Sequence, residues 1–134
     1  MAVIVAIAAA GLFAPGLSAA TRLPKLAHVV GMVQMDYDRD VIYLQTGDRL
    51  WLVNDSNFLH VITLGTDGRI AHEAGAPHIG GRLGLEVMPH GKTYETPPWN
   101  TPGTYYMTCT LHAFMNLTVV VVRAGTRPRS ASTG

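Results

Sequence analysis

Three side chains that can bind a soft transition metal recur at three-residue intervals near the C-terminus: Cys109, His112 and Met115. Cys109 is the only cysteine of the chain, so it cannot form an intramolecular disulfide. A thiolate, an imidazole and a weakly held thioether are the ligand types of mononuclear copper centres that alternate between Cu(I) and Cu(II). The spacing therefore indicates a redox metal site, provided that a second histidine reaches these three side chains.

The composition is that of one folded domain without a nucleic-acid-binding surface. The chain has 134 residues, of which 48% are hydrophobic and 14% charged, and its formal net charge is +1. This hydrophobic content argues against a disordered chain, and the interspersed charges form no basic stretch that would bind nucleic acid. We predict a single domain over residues 21–123, followed by a flexible basic tail over residues 124–134.

The first twenty residues are predicted to be a targeting segment and not part of the fold. Residues 1–20 are apolar except for Ser18, and the small residues that end this segment resemble the cleavage site of an export signal. We therefore expect cleavage before Thr21 and an exported protein in the periplasm or another extracytoplasmic space. No Lys or Arg precedes the apolar run, so an uncleaved membrane anchor is the alternative.

The remainder is predicted to be all-β. Segments rich in strand-forming residues alternate with turns at the spacing of roughly 8–12 residues that is typical of sandwiches and barrels. No segment shows sustained helical periodicity. The glycine-rich stretch Gly65–Met88 has no clear pattern and is expected to hold a short helix or to cross the top of the sandwich. The predicted strands are Ala27–Val33, Val41–Gln45, Arg49–Asn54, His60–Leu64, Lys92–Thr96, Gly103–Thr108 and Leu117–Arg123.

Several motifs, taken in their order along the chain, resemble those of the cupredoxins, the small blue-copper proteins. The spacing Cys-x2-His-x2-Met is that of the short ligand loop of the amicyanin subgroup. The likeness extends over residues 27–123 and implies a Greek-key β-sandwich that binds one copper ion and carries single electrons without being an enzyme. The motifs are Thr46-Gly47-Asp48-x-Leu50-x-Leu52-x-Asn54 followed by His60, Met88-Pro89-His90-Gly91-Lys92-Thr93-Tyr94, and Pro102-Gly103-Thr104-Tyr105-Tyr106-x-x-Cys109.

The resemblance implies four copper ligands, His60, Cys109, His112 and Met115. Two imidazoles and a thiolate form a trigonal set of strong ligands, and the thioether is the weak axial fourth. Zinc is the rival metal, because a set of one cysteine and two histidines can also hold it. Structural zinc sites usually recruit more thiolates or a carboxylate, and methionine is a poor zinc ligand, so copper is favoured.

The other histidines carry less weight in this interpretation. His90 falls where the family has an ordinary turn residue and is expected to face solvent, and His28 is expected to be a surface histidine. His72, Glu73 and His78 lie within seven residues of one another in the unpatterned stretch. A second, adventitious metal site there is a minor alternative.

One departure from the family pattern adjoins the first ligand histidine. Val61 follows His60, whereas the family commonly has an asparagine whose side chain braces the ligand loop. The brace must then come from Asn54, Asn57 or Thr110, or be absent. A drier copper environment disfavours the more highly charged Cu(II), so this change predicts a comparatively high reduction potential.

A second departure lies within the ligand loop. Leu111 and Ala113 stand where proline is common in the family, and each restores a backbone N–H that proline lacks. If the Leu111 N–H points at the Cys109 sulfur, it withdraws charge from the thiolate and raises the potential further.

The resemblance also implies a docking patch, since the C-terminal ligand histidine of the family usually reaches the surface within a ring of apolar side chains. Such a weakly charged patch suits brief docking of a monomer to redox protein partners. The alternative for Phe114 is an inward orientation in the core. The expected ring around His112 consists of Phe58, Leu59, Leu111, Ala113 and Phe114.

Three other functions are alternatives to that of an electron carrier. A copper carrier or storage protein of the same fold would favour exposed methionine- and histidine-rich sites without a buried thiolate. A membrane-tethered subunit beside a terminal oxidase would require residues 1–20 to remain as an anchor. A multicopper oxidase would need His-x-His pairs, which the sequence does not contain.

Overall fold

The computed structural model describes residues 28–126, and these form ten β-strands without a helix. The predicted targeting segment 1–20 lies outside the described residues, as does the end of the predicted tail. Residues 28–126 therefore contain no helix that could span a membrane. The strands are β1 (His28–Val33), β2 (Asp36–Tyr37), β3 (Val41–Gln45), β4 (Leu50–Asn54), β5 (His60–Thr66), β6 (Arg69–Ile70), β7 (Glu86–Met88), β8 (Thr93–Glu95), β9 (Gly103–Cys109) and β10 (His112–Val122).

The strands form two sheets, which confirms the predicted all-β sandwich. One sheet has the order β2-β1-β4-β8, and the other has the order β3-β10-β9-β5-β6, with β7 also paired to β5. The pairs β1–β4 and β3–β10 are parallel, and the other pairs are antiparallel. Because β5, β9 and β10 are neighbours, the first residue of β5 lies beside the connection between β9 and β10.

The structure differs from the predicted strands at several places, among them the unpredicted short strand β2, which pairs with β1. β10 begins at His112, five residues before the predicted start at Leu117, because Cys109 pairs with His112 before the regular ladder resumes at Asn116. The stretch Gly65–Met88 contains two short strands, β6 and β7, which both pair with β5. The alternative of a short helix in this stretch was therefore wrong.

Side chains that alternate toward the space between the sheets form the core. In β4, Leu50 and Leu52 are fully buried, whereas Trp51 points outward, which is the two-residue period of a strand. Trp99 is also fully buried, and its ring packs against Tyr105 with centroids 5.4 Å apart. Burial of these large apolar surfaces stabilises the sandwich by about 25 cal/mol per Å². The packed sheets therefore hold the strand ends in fixed positions.

Candidate metal centre

The three strongest predicted ligands come from two neighbouring places at one end of the second sheet. Cys109 is the last residue of β9 and His112 the first of β10, with a two-residue turn between them. His60 is the first residue of β5, whose residue Ile62 pairs with Cys109. Backbone pairing of β5, β9 and β10 thus brings His60 to the turn that carries the other two side chains.

The metal-binding atoms of these side chains face one another. One ligand atom from each of His60, Cys109 and His112 lies within 4.8 Å of the others. The two Nδ1 atoms of His60 and His112 are 3.2 Å apart, and the Cys109 sulfur lies 3.5 Å from Nδ1 of His112. An ion bound tetrahedrally at about 2.0 Å from nitrogen and 2.3 Å from sulfur would place such atoms roughly 3.3 and 3.5 Å apart. The spacing of the three atoms therefore fits one shared metal ion.

The site is buried on one side and reaches solvent on the other. His60 and Cys109 are completely buried, whereas His112 is half-buried. Burial lowers the pKa of His60, the neighbouring His112 lowers it further, and a hydrogen bond with the Gln34 backbone opposes both effects. A neutral imidazole has the free lone pair that a metal needs, so this direction favours metal binding.

Met115, the fourth predicted ligand, is completely buried three residues after His112 in β10. Its backbone carbonyl accepts a hydrogen bond of 3.0 Å from the Thr108 hydroxyl. Met115 and Cys109 both belong to the central hydrophobic cluster. The structure therefore places Met115 on the strand that starts at His112, inside the core.

A hydrogen-bonded serine orients the His60 ring. The Ser56 hydroxyl lies 2.9 Å from Nε2 of His60 and 2.7 Å from Oδ1 of Asn54. Because the Asn54 oxygen can only accept, the Ser56 proton goes to Asn54, and Nε2–H of His60 donates to Ser56. This arrangement protonates Nε2 and leaves Nδ1 with its lone pair directed at Cys109 and His112. Outer-shell partners of this kind commonly fix the tautomer of metal-binding histidines.

Asn54 supports the connection between β4 and β5: its side-chain hydrogen bonds to the described residues lead to Ser56, Phe58 and Met88 and not to the ligand loop that the brace is expected to hold. Its side-chain NH2 donates to the carbonyls of Phe58 (2.8 Å) and Met88 (2.7 Å). Its Oδ1 accepts from the backbone N–H of Ser56 at 3.0 Å. Sequence reasoning missed Ser56, although the spacing Asn-x-Ser is typical of an Asx-turn and could have indicated it.

The backbone of Val61 supports the thiol and the turn after it. Its N–H donates to the Cys109 sulfur at 3.4 Å, and its carbonyl accepts from the Thr110 N–H at 2.9 Å. Among the described residues, Val61 is the only backbone donor to this sulfur, so the condition stated for the Leu111 N–H is not met. Leu111 lies in the turn and Ala113 near the start of β10, and both side chains are exposed.

The five side chains of the expected docking patch are all exposed at the surface. The Phe58 ring meets His112 edge-on, with centroids 6.0 Å apart. Phe114 is 92% exposed, so the alternative of an inward orientation does not hold. Leu59 and Leu111 are about half exposed, and Ala113 is also exposed. A shallow cleft beside them is lined by Met35, Asp36, His112, Ala113 and Phe114.

The remaining histidines take no part in this cluster. His90 is exposed, and its Nδ1–H donates to the Ser56 carbonyl at 2.8 Å. His28 differs from the expected surface histidine, because its Nε2 lies 2.8 Å from the buried carboxylate of Asp48.

The minor alternative of a second metal site gains no support from the described residues. Within residues 28–126, the one group of three metal-binding side chains is that of His60, Cys109 and His112. His78 instead donates to the Gly81 carbonyl at 2.7 Å, and the Glu73 carboxylate accepts from the Tyr106 N–H at 2.8 Å.

Comparison with solved structures identifies the fold. Amicyanin from Paracoccus versutus (Thiobacillus versutus) superposes with a TM-score of 0.53 at 25% identity, covering 76% of this chain and 87% of that one. A reduced amicyanin mutant superposes with a TM-score of 0.55 at 23% identity, and another mutant in its reduced Cu(I) form at pH 4 superposes with a TM-score of 0.54 at 24% identity. In both cases the match covers 76% of this chain and 88% of the other. No protein-family model and no curated protein matches the chain. The chain therefore has the amicyanin fold, which is a cupredoxin fold.

Proposed function

We propose that this protein is a one-electron carrier with a single type 1 copper ion bound by His60, Cys109, His112 and Met115. The observation that carries the proposal is the convergence of one buried thiol and two imidazole nitrogens at distances that fit one metal ion. A thiolate with two imidazoles and an axial thioether is the ligand set of such electron-transfer sites. The copper seen in an amicyanin of the same fold supports the choice of metal.

Copper, when bound, supplies the one-electron couple between Cu(I) and Cu(II). The chain supplies a rigid frame, because the ligands are attached to paired strands and to a turn held by the Val61 carbonyl. A frame that moves little between the two oxidation states reduces the reorganisation that electron transfer requires. Complete burial of His60 and Cys109 keeps water from the thiolate. His112 is half-buried among exposed apolar side chains. Electrons therefore enter and leave the site through His112.

A carrier fits this site better than a copper store. A store must release its ion, so exposed thioethers and imidazoles are suited to it, whereas the thiol here is completely buried. The absence of His-x-His pairs from the sequence argues against a multicopper oxidase and therefore supports a carrier rather than an enzyme.

We further propose that the carrier is exported and acts as a monomer on redox protein partners. The small residues that end segment 1–20 support cleavage before Thr21. The apolar patch around His112 supports short-lived docking, which buries little area. Mass spectrometry of the native protein would detect a chain beginning at Thr21, and a retained N-terminus would instead indicate a membrane-anchored carrier.

Voltammetry of the copper-loaded protein tests the carrier function. A carrier gives a reversible one-electron wave that persists over repeated cycles with one copper ion per chain. A store or a structural site gives no reversible wave, or loses the metal on reduction. Loading with Zn(II) provides the control, because zinc has no redox chemistry in this range.

A further inference from the structure

One buried threonine connects three segments around Met115. Thr108 is completely buried in β9, one residue before Cys109. Its hydroxyl donates to the Met115 carbonyl at 3.0 Å and accepts from the Gly68 N–H at 2.9 Å. A single side chain therefore links β9, the β5–β6 turn and the ligand-bearing part of β10.

These bonds lie where the sheet ladder alone does not determine the chain path. β9 and β10 pair at Cys109–His112 and again at Thr108–Asn116, and the register is irregular between these two pairs. Met115 lies in the irregular part, just before Asn116. The Thr108 hydroxyl supplies a fixed donor to the Met115 carbonyl at this position.

The β5–β6 turn strengthens the arrangement from the other side. The Asp67 N–H donates to the Asn116 side-chain oxygen at 2.8 Å, and the Asn116 NH2 donates to the Asp67 carboxylate at 2.9 Å. Gly68 has a positive φ of 73°, and a Cβ there would lie 3.3 Å from the Cα of Ala113. The turn is thus packed closely against the ligand loop at a position whose backbone conformation favours glycine.

We infer that Thr108 is a positioning residue for Met115, holding the axial ligand in place from outside the ligand loop. The inference deepens the proposed function and rests on it for the role of Met115. Copper would hold a thioether only weakly, so the position of Met115 would depend more on the protein than that of the strong ligands. The hydrogen bonds that link Thr108, Gly68 and the Asp67–Asn116 pair fix the backbone position of Met115.

The test compares three variants of the full-length protein. Thr108→Val removes the hydroxyl at nearly constant volume, and Thr108→Ser keeps it. Thr63→Val is the matched control, because Thr63 is a buried threonine directly opposite Thr108 in β5 whose hydroxyl donates to the Gly84 carbonyl at 2.9 Å. A general loss of packing or of a buried hydrogen bond would affect the Thr63 and Thr108 variants alike.

The first readout needs no copper. In metal-free protein with 13C-methyl methionine, Thr108→Val should shift or broaden the Met115 methyl signal and leave that of Met32 in β1 unchanged. The Met115 methyl signal of Thr108→Ser and that of Thr63→Val should both match the wild-type signal. An unchanged Met115 signal in Thr108→Val, or an equal change in Thr63→Val, would overturn the inference.

The second readout is the Cu(II) site itself. Thr108→Val should alter the EPR rhombicity and the ratio of the two visible charge-transfer bands, whereas Thr108→Ser should not. If Thr108→Val does not fold, Asn116→Ala replaces it, because this change breaks the part-exposed Asp67–Asn116 pair and should give the same spectral changes to a smaller extent. Unaltered spectra in Asn116→Ala would then overturn the inference. Wild-type protein that forms no blue site would refute the proposed function, while the methyl signals would still decide the role of Thr108.

Discussion

The backbone N–H of Val61 donates to the Cys109 sulfur at 3.4 Å, while the carbonyl of the same residue accepts from the Thr110 N–H at 2.9 Å. One residue of β5 thus supports both the thiol and the turn that follows it. Both bonds use backbone atoms, so they do not depend on the identity of the side chain at position 61. This explains how valine can occupy a position where the resemblance to cupredoxins leads one to expect asparagine.

The side chain at position 61 is nevertheless predicted to influence the reduction potential. Val61→Asn should lower it, because an amide dipole near the copper stabilises the more highly charged Cu(II). An effect of about 1 kcal/mol, typical of one hydrogen bond, corresponds to roughly 40 mV for a one-electron couple. Voltammetry provides the measurement, with Val87→Asn as the control, since Val87 is the exposed cross-strand partner of Val61. An unchanged or higher potential in Val61→Asn would contradict this prediction.

Removal of the Ser56 hydroxyl is predicted to weaken copper binding. Ser56→Ala leaves Nε2 of His60 without its side-chain acceptor, so Nδ1 is held less firmly toward the metal. Loss of such an outer partner typically costs about 10- to 100-fold in metal affinity. A competition titration with a Cu(II) chelator measures the effect. Asn57→Ala, an exposed change in the same loop, should bind copper like the wild type. Equal affinities for the two variants would show that Ser56 does not orient His60.

Charge in the docking patch is predicted to slow electron exchange without altering the copper site. Leu111→Lys places a cation in the exposed turn beside His112, and two copies that meet through this patch then repel each other. The self-exchange rate, measured by NMR in mixtures of the two oxidation states, should fall and should recover with added salt. Val29→Lys carries the same charge at the start of β1 and should exchange normally. A changed visible spectrum in Leu111→Lys would mean that Leu111 supports the metal site and not the docking surface.

A buried threonine far from the ligands is predicted to stabilise the fold alone. The Thr96 hydroxyl accepts from the Leu50 N–H and from the Trp99 indole N–H, both at 3.0 Å. Thr96→Val leaves these two buried donors unpaired and should lower the free energy of unfolding by about 3 kcal/mol. Urea unfolding of the metal-free protein measures the loss, with Thr93→Val in exposed β8 as the control. Similar midpoints for both variants would contradict this assignment, and the copper spectrum of Thr96→Val should remain that of the wild type.

Sequence reasoning was most successful where local pattern decides structure. The strand-forming residues of Arg49–Asn54 indicated β4, and the valine run indicated the later part of β10. It placed the start of β10 too late, because the Cys109–His112 pair depends on the neighbouring strand and not on local propensity. The short strands β6 and β7 were missed for the same reason, since their two and three residues are ordered by pairing with β5.

The candidate ligands were visible in the sequence because their chemistry is specific, whereas the residues that hold them were not. Ser56 and Thr108 are common polar residues whose roles appear only when the chain path brings them to His60 and Met115. Nothing in the local sequence distinguishes His28 from a surface histidine, because its partner Asp48 is twenty positions away. Contacts of this kind depend on the tertiary arrangement, which periodicity and composition do not encode.

Optical titration of the purified, metal-free protein with Cu(II) tests the central claim most directly. The proposed site predicts an intense thiolate-to-copper absorption in the visible that saturates at one copper ion per chain and protects Cys109 from thiol reagents. In the control variant Cys109→Ser, this band should be absent. A colourless wild-type product in which Cys109 still reacts with thiol reagents would contradict the assignment of a type 1 copper centre.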